Sequence, residues 1–339
     1  MKRSLALAAL GLLALPAQGQ EVKIEEVPSV AALDPAKLKA GTMAFSDQKT
    51  DGLADEGTGL LRFADWQRAK PGQKQFLALH PAYAEPTINV VVNGIPKRHT
   101  ERLHMYVAEA RFTVPKPPAQ IDLARYATLD FVTGIDPAIK HRTITPEEVV
   151  PHKDPENAHN RHPARRWCEG GALCIESRYA LEGKLPTGIR LANKLEEGAK
   201  QIADYIEFQS ELRVLPAAEL PAADLQKLTG FGGTVTGALE QNLFHVNQMM
   251  QFGKFLAVLQ ADPVDAGRTV VTAFVALAIE SDVLDKKKEY ERVPVLRNLV
   301  PAQVLMGNSS FNTGTSISAG LPAYSRNRLK AVAEVLQRG

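Results

Sequence analysis

The residue pattern predicts an α+β fold: an antiparallel sheet covered by helices, with a carboxy-terminal amphipathic helix packed on the sheet. Three observations carry this expectation. Ile206, Phe208, Leu212 and Val214 fall on alternate positions with Glu207, Gln209, Glu211 and Arg213 between them, which is the period of a half-buried strand. Residues 254–260 and 269–279 are strongly apolar and flank the turn-forming stretch Asp262-Pro263-Val264-Asp265-Ala266-Gly267, so they read as a buried hairpin near the centre of a sheet. The last 17 residues place Leu329, Val332, Ala333 and Leu336 on one stripe, with Arg326, Arg328, Lys330 and Arg338 off it, the signature of an amphipathic helix.

The amino end reads as a signal peptide over residues 1–19. Lys2 and Arg3 precede an unbroken apolar run of eleven residues, Leu5 to Leu15, closed by Pro16. A helix of that length rises about 16 Å, roughly half the hydrocarbon thickness of a bilayer, so it suits an export signal and not a membrane span. Ala17 and Gly19 supply the small residues that a signal peptidase needs, which puts the cut before Gln20. The expected address is periplasmic or secreted.

Residues 20–59 show little periodicity and read as a partly ordered lead-in. A small β-rich region is expected over residues 60–133, where the β-branched run 87–92, closed by Asn93-Gly94, could pair antiparallel with the alternating residues 102–114. Residues 134–167 contain five prolines and no clear period, and read as a long wrapping loop. The main α+β domain is expected over residues 168–339, with a strand over residues 174–181 and an amphipathic helix over residues 191–205. Residues 239–252 fit helix and strand equally well. The order of strands, buried hairpin and terminal helix loosely resembles that of helix-grip lipid-binding proteins. That is a resemblance of architecture, which implies no function by itself.

Composition narrows the function classes. Removal of residues 1–19 takes away two positive charges and no negative one, so the formal net charge of +2 falls to zero. Nucleic-acid binding needs a clustered basic surface, and constitutive binding to an anionic membrane is likewise disfavoured. No later segment is apolar over a membrane-spanning length, so an integral membrane protein is not expected. The chain contains two cysteines, Cys168 and Cys174, separated by Glu169-Gly170-Gly171-Ala172-Leu173. Paired glycines let that loop turn tightly, and in an oxidising compartment the pair reads as a disulfide contributing about 2 kcal/mol.

Four of the eight histidines, His141, His152, His159 and His162, lie in the wrapping segment. His152, His159 and His162 are weak candidates for a metal site, since prolines around them oppose a converging helix; solvated loop histidines are the plainer reading, and no metal or other cofactor is expected. Arg161, Arg165 and Arg166 crowd before Trp167, and such guanidinium forks beside an aromatic are candidates for anion binding, unless nearby Asp154, Glu156 or Glu169 consume them. The glycine-rich stretch 229–234 lacks the pattern of a phosphate loop, and the serines of residues 308–320 sit in no nucleophile motif. Phe244, Met249, Met250, Phe252 and Phe255 form the densest run of large soft side chains and are the candidate ligand-pocket residues.

The expected function is therefore an exported, non-catalytic binding or carrier protein for a lipid-like or amphipathic small molecule. The alternatives are a periplasmic hydrolase, metal-assisted or serine-based, and an envelope structural or assembly factor that acts through a protein partner.

Overall fold

The computed structural model describes residues 21–48, 52–54, 60–69, 87–100, 102–153, 165–180, 205–246, 250–280 and 317–338. Residues 1–19 lie outside these. So do the helix expected over residues 191–205, apart from Tyr205, and most of the serine-rich stretch 308–320.

A ten-stranded sheet dominates the described residues. Its strands are β1 (Lys23–Glu26), β2 (Thr42–Asp47), β3 (Leu61–Arg62), β6 (Leu103–Val114), β7 (Lys140–Thr143), β8 (Leu173–Ala180), β9 (Tyr205–Pro216), β10 (Val235–Val246), β11 (Met250–Ala261) and β12 (Thr269–Glu280). The spatial order is β1-β2-β6-β12-β11-β10-β9-β8-β7, with β3 continuing the line of β2 along β6. Every pairing is antiparallel except β1 with β2, so the sheet is mixed. The described helices are α1 (Phe63–Ala69), α2 (Leu129–Ile135), α3 (Val150–Lys153), α4 (Ala222–Thr229) and α5 (Ile317–Arg338). Four of these are short, so the fold is dominated by its sheet, which helices cover only in part, and the carboxy-terminal helix α5 packs on it as expected.

The hairpin expected at the centre is there. β11 and β12 pair from Met250 with Ile279 to Ala261 with Thr269, and β11 holds the middle place of the strand order with β12 beside it. β12 is buried on both faces from Thr269 to Ile279, which explains why its sequence runs apolar instead of alternating. Of the ambiguous residues 239–252, the described ones resolve as the end of β10 and the start of β11, and residues 247–249 lie outside the described residues. β8 lies where the strand over residues 174–181 was expected.

Two expectations are corrected. The run 87–92 (β4) does not pair with β6 but with β5 (Ile95–Thr100), forming a separate two-stranded sheet. Asn93 and Gly94 both take positive φ, 52° and 77°, the backbone of a two-residue hairpin turn that sends the chain straight back onto itself. β6 is thereby released to pair with β12 and β2. The second correction concerns β9. Ser210 and Glu211 are both fully buried and Gln209 nearly so, so both faces of the middle of the strand are covered although one face is polar.

Strands β1 and β2 come from the aperiodic lead-in, and β2 is buried throughout. A short strand buried on both faces shows no alternation to detect. The glycine-rich stretch after α4 is structural: Gly230 ends that helix with φ 64°, and a Cβ there would meet Ala31 at 2.9 Å. At Gly233 a Cβ would stand 2.3 Å from the carbonyl oxygen of Ala261, so only glycine allows that approach.

Candidate functional site

The sheet separates two environments. On one face Leu321, Leu329, Ala333 and Leu336 of α5 cover Phe45, Tyr106, Phe112, Val271 and Val275 in one apolar core. Arg328 was expected off the apolar stripe, yet it is only 3% exposed. It stands four residues before Val332, on the edge of the stripe, where α2 also packs against α5.

The Arg328 guanidinium donates to Tyr324 Oη at 3.0 Å and to Gln241 Oε1, forms an ion pair with Asp136, and lies 4.1 Å from the centre of the Phe255 ring. Gln241 in turn donates to Ser210 Oγ at 2.9 Å. Burial lowers the pKa of Arg328 to about 9, so at neutral pH it stays charged opposite Asp136. Beside this cluster is a cavity of about 40 Å³, lined by Phe131, Ile135, Leu212, Leu239, Gln241, Phe255, Arg328, Leu329 and Val332 among others. The polar lining groups already bond one another, so the cavity wall is chemically apolar.

The opposite face is apolar at α1 and α4, where Phe63, Trp66, Leu225 and Leu228 cover Met105, Val258 and Phe274. Elsewhere it is ionic. Lys254 and Glu240 are both fully buried and form an ion pair. The register sets Glu240 opposite Leu256 and Lys254 opposite Asn242, so the two charges are diagonal neighbours on one face. Burial pushes the Lys254 ammonium down and the Glu240 carboxyl up from their ordinary ranges, and each partner resists the other's shift. Glu240 Oε2 has no hydrogen-bond partner among the described residues.

On β9, Glu211 is fully buried and accepts from Arg165, Arg213 and the Cys168 backbone N–H, at 2.7 to 3.1 Å. Burial would raise its pKa, but the hydrogen bonds and charges of Arg213 and Arg165 outweigh burial and hold it below the ordinary value. Further along the same face Arg111 of β6, also fully buried, donates to Thr272 Oγ1 at 3.1 Å and to the carbonyls of Leu33 and Thr229, tying the lead-in and α4 to the sheet.

Cys168 and Cys174 form a disulfide, with Cα atoms 5.5 Å apart. It closes the turn from Cys168 to Cys174 that directly follows Arg165, Arg166 and Trp167. Arg165 is spent on Glu211 and also lies 4.6 Å over the Trp167 ring, while Arg166 pairs with Glu169 at 3.1 Å. Arg161 is outside the described residues. Of the metal candidates, His159 and His162 are outside as well. His152 donates from Nδ1 to the Pro146 carbonyl and accepts at Nε2 from the Trp167 N–H, both at 2.9 Å, which leaves neither nitrogen for a ligand. Among the described residues no group of three His, Cys, Asp or Glu could hold a metal ion.

The ligand-pocket candidates do not all converge. Phe255 lines the cavity under α5, whereas Phe244 stacks on Trp167 at 4.6 Å on the opposite face. Met250 and Phe252 belong to β11, and Met249 is outside the described residues. The buried charges Arg111, Glu240, Lys254 and Arg328 were not singled out from the sequence. The signal that could have found them is a lone charge set among apolar neighbours, as at Lys254, which is rarely tolerated without a partner.

Among the described residues no helix is long and apolar enough to cross a membrane. No family model matches the chain, and no curated protein matches it. Among solved structures, the crystal structure of Ara h 8.0201 is similar at 11% sequence identity, over 70% of this chain and 99% of that chain, with a TM-score of 0.29. A correspondence that loose transfers no property from one chain to the other.

Proposed function

We propose that the protein is an exported binding or carrier protein whose apolar or amphipathic ligand occupies the space between α5 and the sheet. The observation that carries this reading is the cavity of about 40 Å³ beneath α5, whose polar lining groups, Arg328 and Gln241, bond to each other. An apolar cavity holds no favourable place for water, so a hydrocarbon group entering it displaces little and gains dispersion contacts. Ligand sites usually measure about 300–1,000 Å³, so occupancy requires α5 to move outward. α5 covers that part of the face with the short helix α2, whose Phe131 and Ile135 also line the cavity, and Pro322 removes one backbone hydrogen bond within α5. Phe255, with its ring held against Arg328 and Tyr324, would be the aromatic contact for the ligand. Export rests on residues 1–19, and the Cys168–Cys174 disulfide supports an oxidising compartment.

Native mass spectrometry of protein recovered from its own periplasm or medium tests both parts. The expected spectrum shows a chain beginning at Gln20 with a small molecule that leaves on denaturation. Met1 retained on a cytosolic chain would overturn the export reading. If the purified protein is empty, a neutral apolar probe, N-phenyl-1-naphthylamine, should bind, and Val332→Phe, which fills the cavity, should weaken binding at least tenfold while the protein stays folded. No bound molecule and no probe binding would overturn the carrier reading.

A further inference from the structure

The β4–β5 hairpin pairs with no strand of the ten-stranded sheet, so its place in the fold is not explained by the core. Residues 93–98 are exposed, and Ile95 beside the turn is 59% exposed. Isolated exposed isoleucines are ordinary, but this one sits at the tip of a hairpin with a defined charge pattern behind it. Along β5, side chains alternate: Ile95 and Lys97 leave one side, Pro96 and Arg98 the other. An apolar tip therefore has a cation on each side, two and three residues below it. Neither Lys97 nor Arg98 has a carboxylate partner among the described residues.

The other large exposed hydrophobic, Val264, is 80% exposed on the β11–β12 turn, but the cation of that turn, Arg268, is paired with buried Asp262, which leaves Asp265 as its uncompensated charge. That turn would be repelled by an anionic surface. The contrast between the two tips distinguishes a docking element from an ordinary exposed side chain.

We propose that the β4–β5 hairpin docks the protein on an anionic phospholipid surface. Ile95 enters the headgroup layer, and Lys97 and Arg98 meet lipid phosphates on either side. The neutral charge balance of the mature chain supplies no general attraction to such a surface, so the interaction rests on the charges that screening leaves effective, those within about 10 Å of the bilayer. Docking would deliver an apolar cargo where it is soluble, yet it rests on observations separate from the cavity under α5.

The test is co-sedimentation of the full mature chain with vesicles of phosphatidylcholine alone or mixed with phosphatidylglycerol. Binding is expected on the mixed vesicles, weaker at high salt, and much less on the neutral ones. Replacing both Lys97 and Arg98 by Ala should weaken it about 30-fold, at roughly fivefold per cation. Ile95→Asp should weaken it about tenfold, while binding of N-phenyl-1-naphthylamine and the melting temperature stay unchanged. Failure to bind mixed vesicles, equal binding to neutral ones, or either variant binding like the parent would overturn the proposal. Retention on heparin lost in the double variant, without vesicle binding, would likewise overturn it in favour of a soluble polyanion.

Discussion

The two faces of the sheet are closed by different chemistry. Over β6, β12 and β11 one face is covered by α5 mainly through Leu321, Leu329, Ala333 and Leu336, a contact that is non-directional, with Arg328 as its buried directional anchor, to Asp136 and Gln241. The polar stretch of the other face is closed by bonds with fixed geometry: Lys254 to Glu240, Glu211 to Arg165 and Arg213, Arg111 to two backbone carbonyls, and the disulfide. Dispersion contacts weaken gradually as a helix lifts, whereas a buried ion pair that separates leaves two uncompensated charges. Among the described residues the α5 face holds one buried pair of this kind, Arg328 with Asp136 at the end of α2, against several on the ionic face. The ionic face is therefore the more rigid wall, and a ligand can exchange on the α5 face where α5 and α2 shift together and keep that pair.

The largest test of that contrast is Lys254→Ala, which strands Glu240 without its partner. Loss of about 3–5 kcal/mol in urea unfolding is expected. The pair Lys254→Met with Glu240→Leu should recover most of that loss, since a buried ion pair is often replaceable by apolar groups of similar volume. If the single substitution costs no more than an exposed lysine would, the ionic face is not the rigid one.

A smaller effect is expected from replacing Cys168 and Cys174 by Ser, about 2 kcal/mol or less for so short a loop. The protein should still fold, and thiol alkylation of the parent should label neither cysteine before reduction and both after. Because the turn also holds Arg165 over Glu211 and Trp167 on Phe244, the near-ultraviolet signal of Trp167 should change with the bridge. An unchanged signal would show that the ion pairs hold the turn without it.

The smallest effect is graded and depends on pH. The folded pKa of Glu211 lies below its ordinary 4.5, because Arg213 and Arg165 outweigh burial. Its contribution is fully present above the unfolded value and is lost as pH falls through the folded value. Urea midpoints should therefore decline from about pH 4.5 downward, and the decline should be shallower in Glu211→Gln. Equal slopes for the two proteins would remove Glu211 from the set that closes this face.

How much was legible in the sequence depended on whether the decisive contact was local. The β11–β12 hairpin could be read because its turn and its apolar runs are contiguous. The Asn93-Gly94 turn was visible too, but residues 95–100 carry Pro96, Lys97 and Arg98 and do not look like a strand. The turn was therefore credited to the wrong partner. The cavity was not legible, since Phe131, Leu239, Phe255 and Val332 come from four separate elements.

Local pattern alone determined the strands β9, β11 and β12, the amphipathic character of α5 and the Cys168–Cys174 bridge, because each rests on neighbours in the chain or on a period of two or 3.6 residues. Only the tertiary structure decided that Glu211 and Arg328 are buried and which partner Lys254 meets. A charged residue on the polar side of a strand or helix has the same sequence signature whether that side meets water or another layer of protein. The distinction lies in partners such as Arg165, Glu240 and Asp136, brought up from distant parts of the chain, and no periodicity within a single element encodes them.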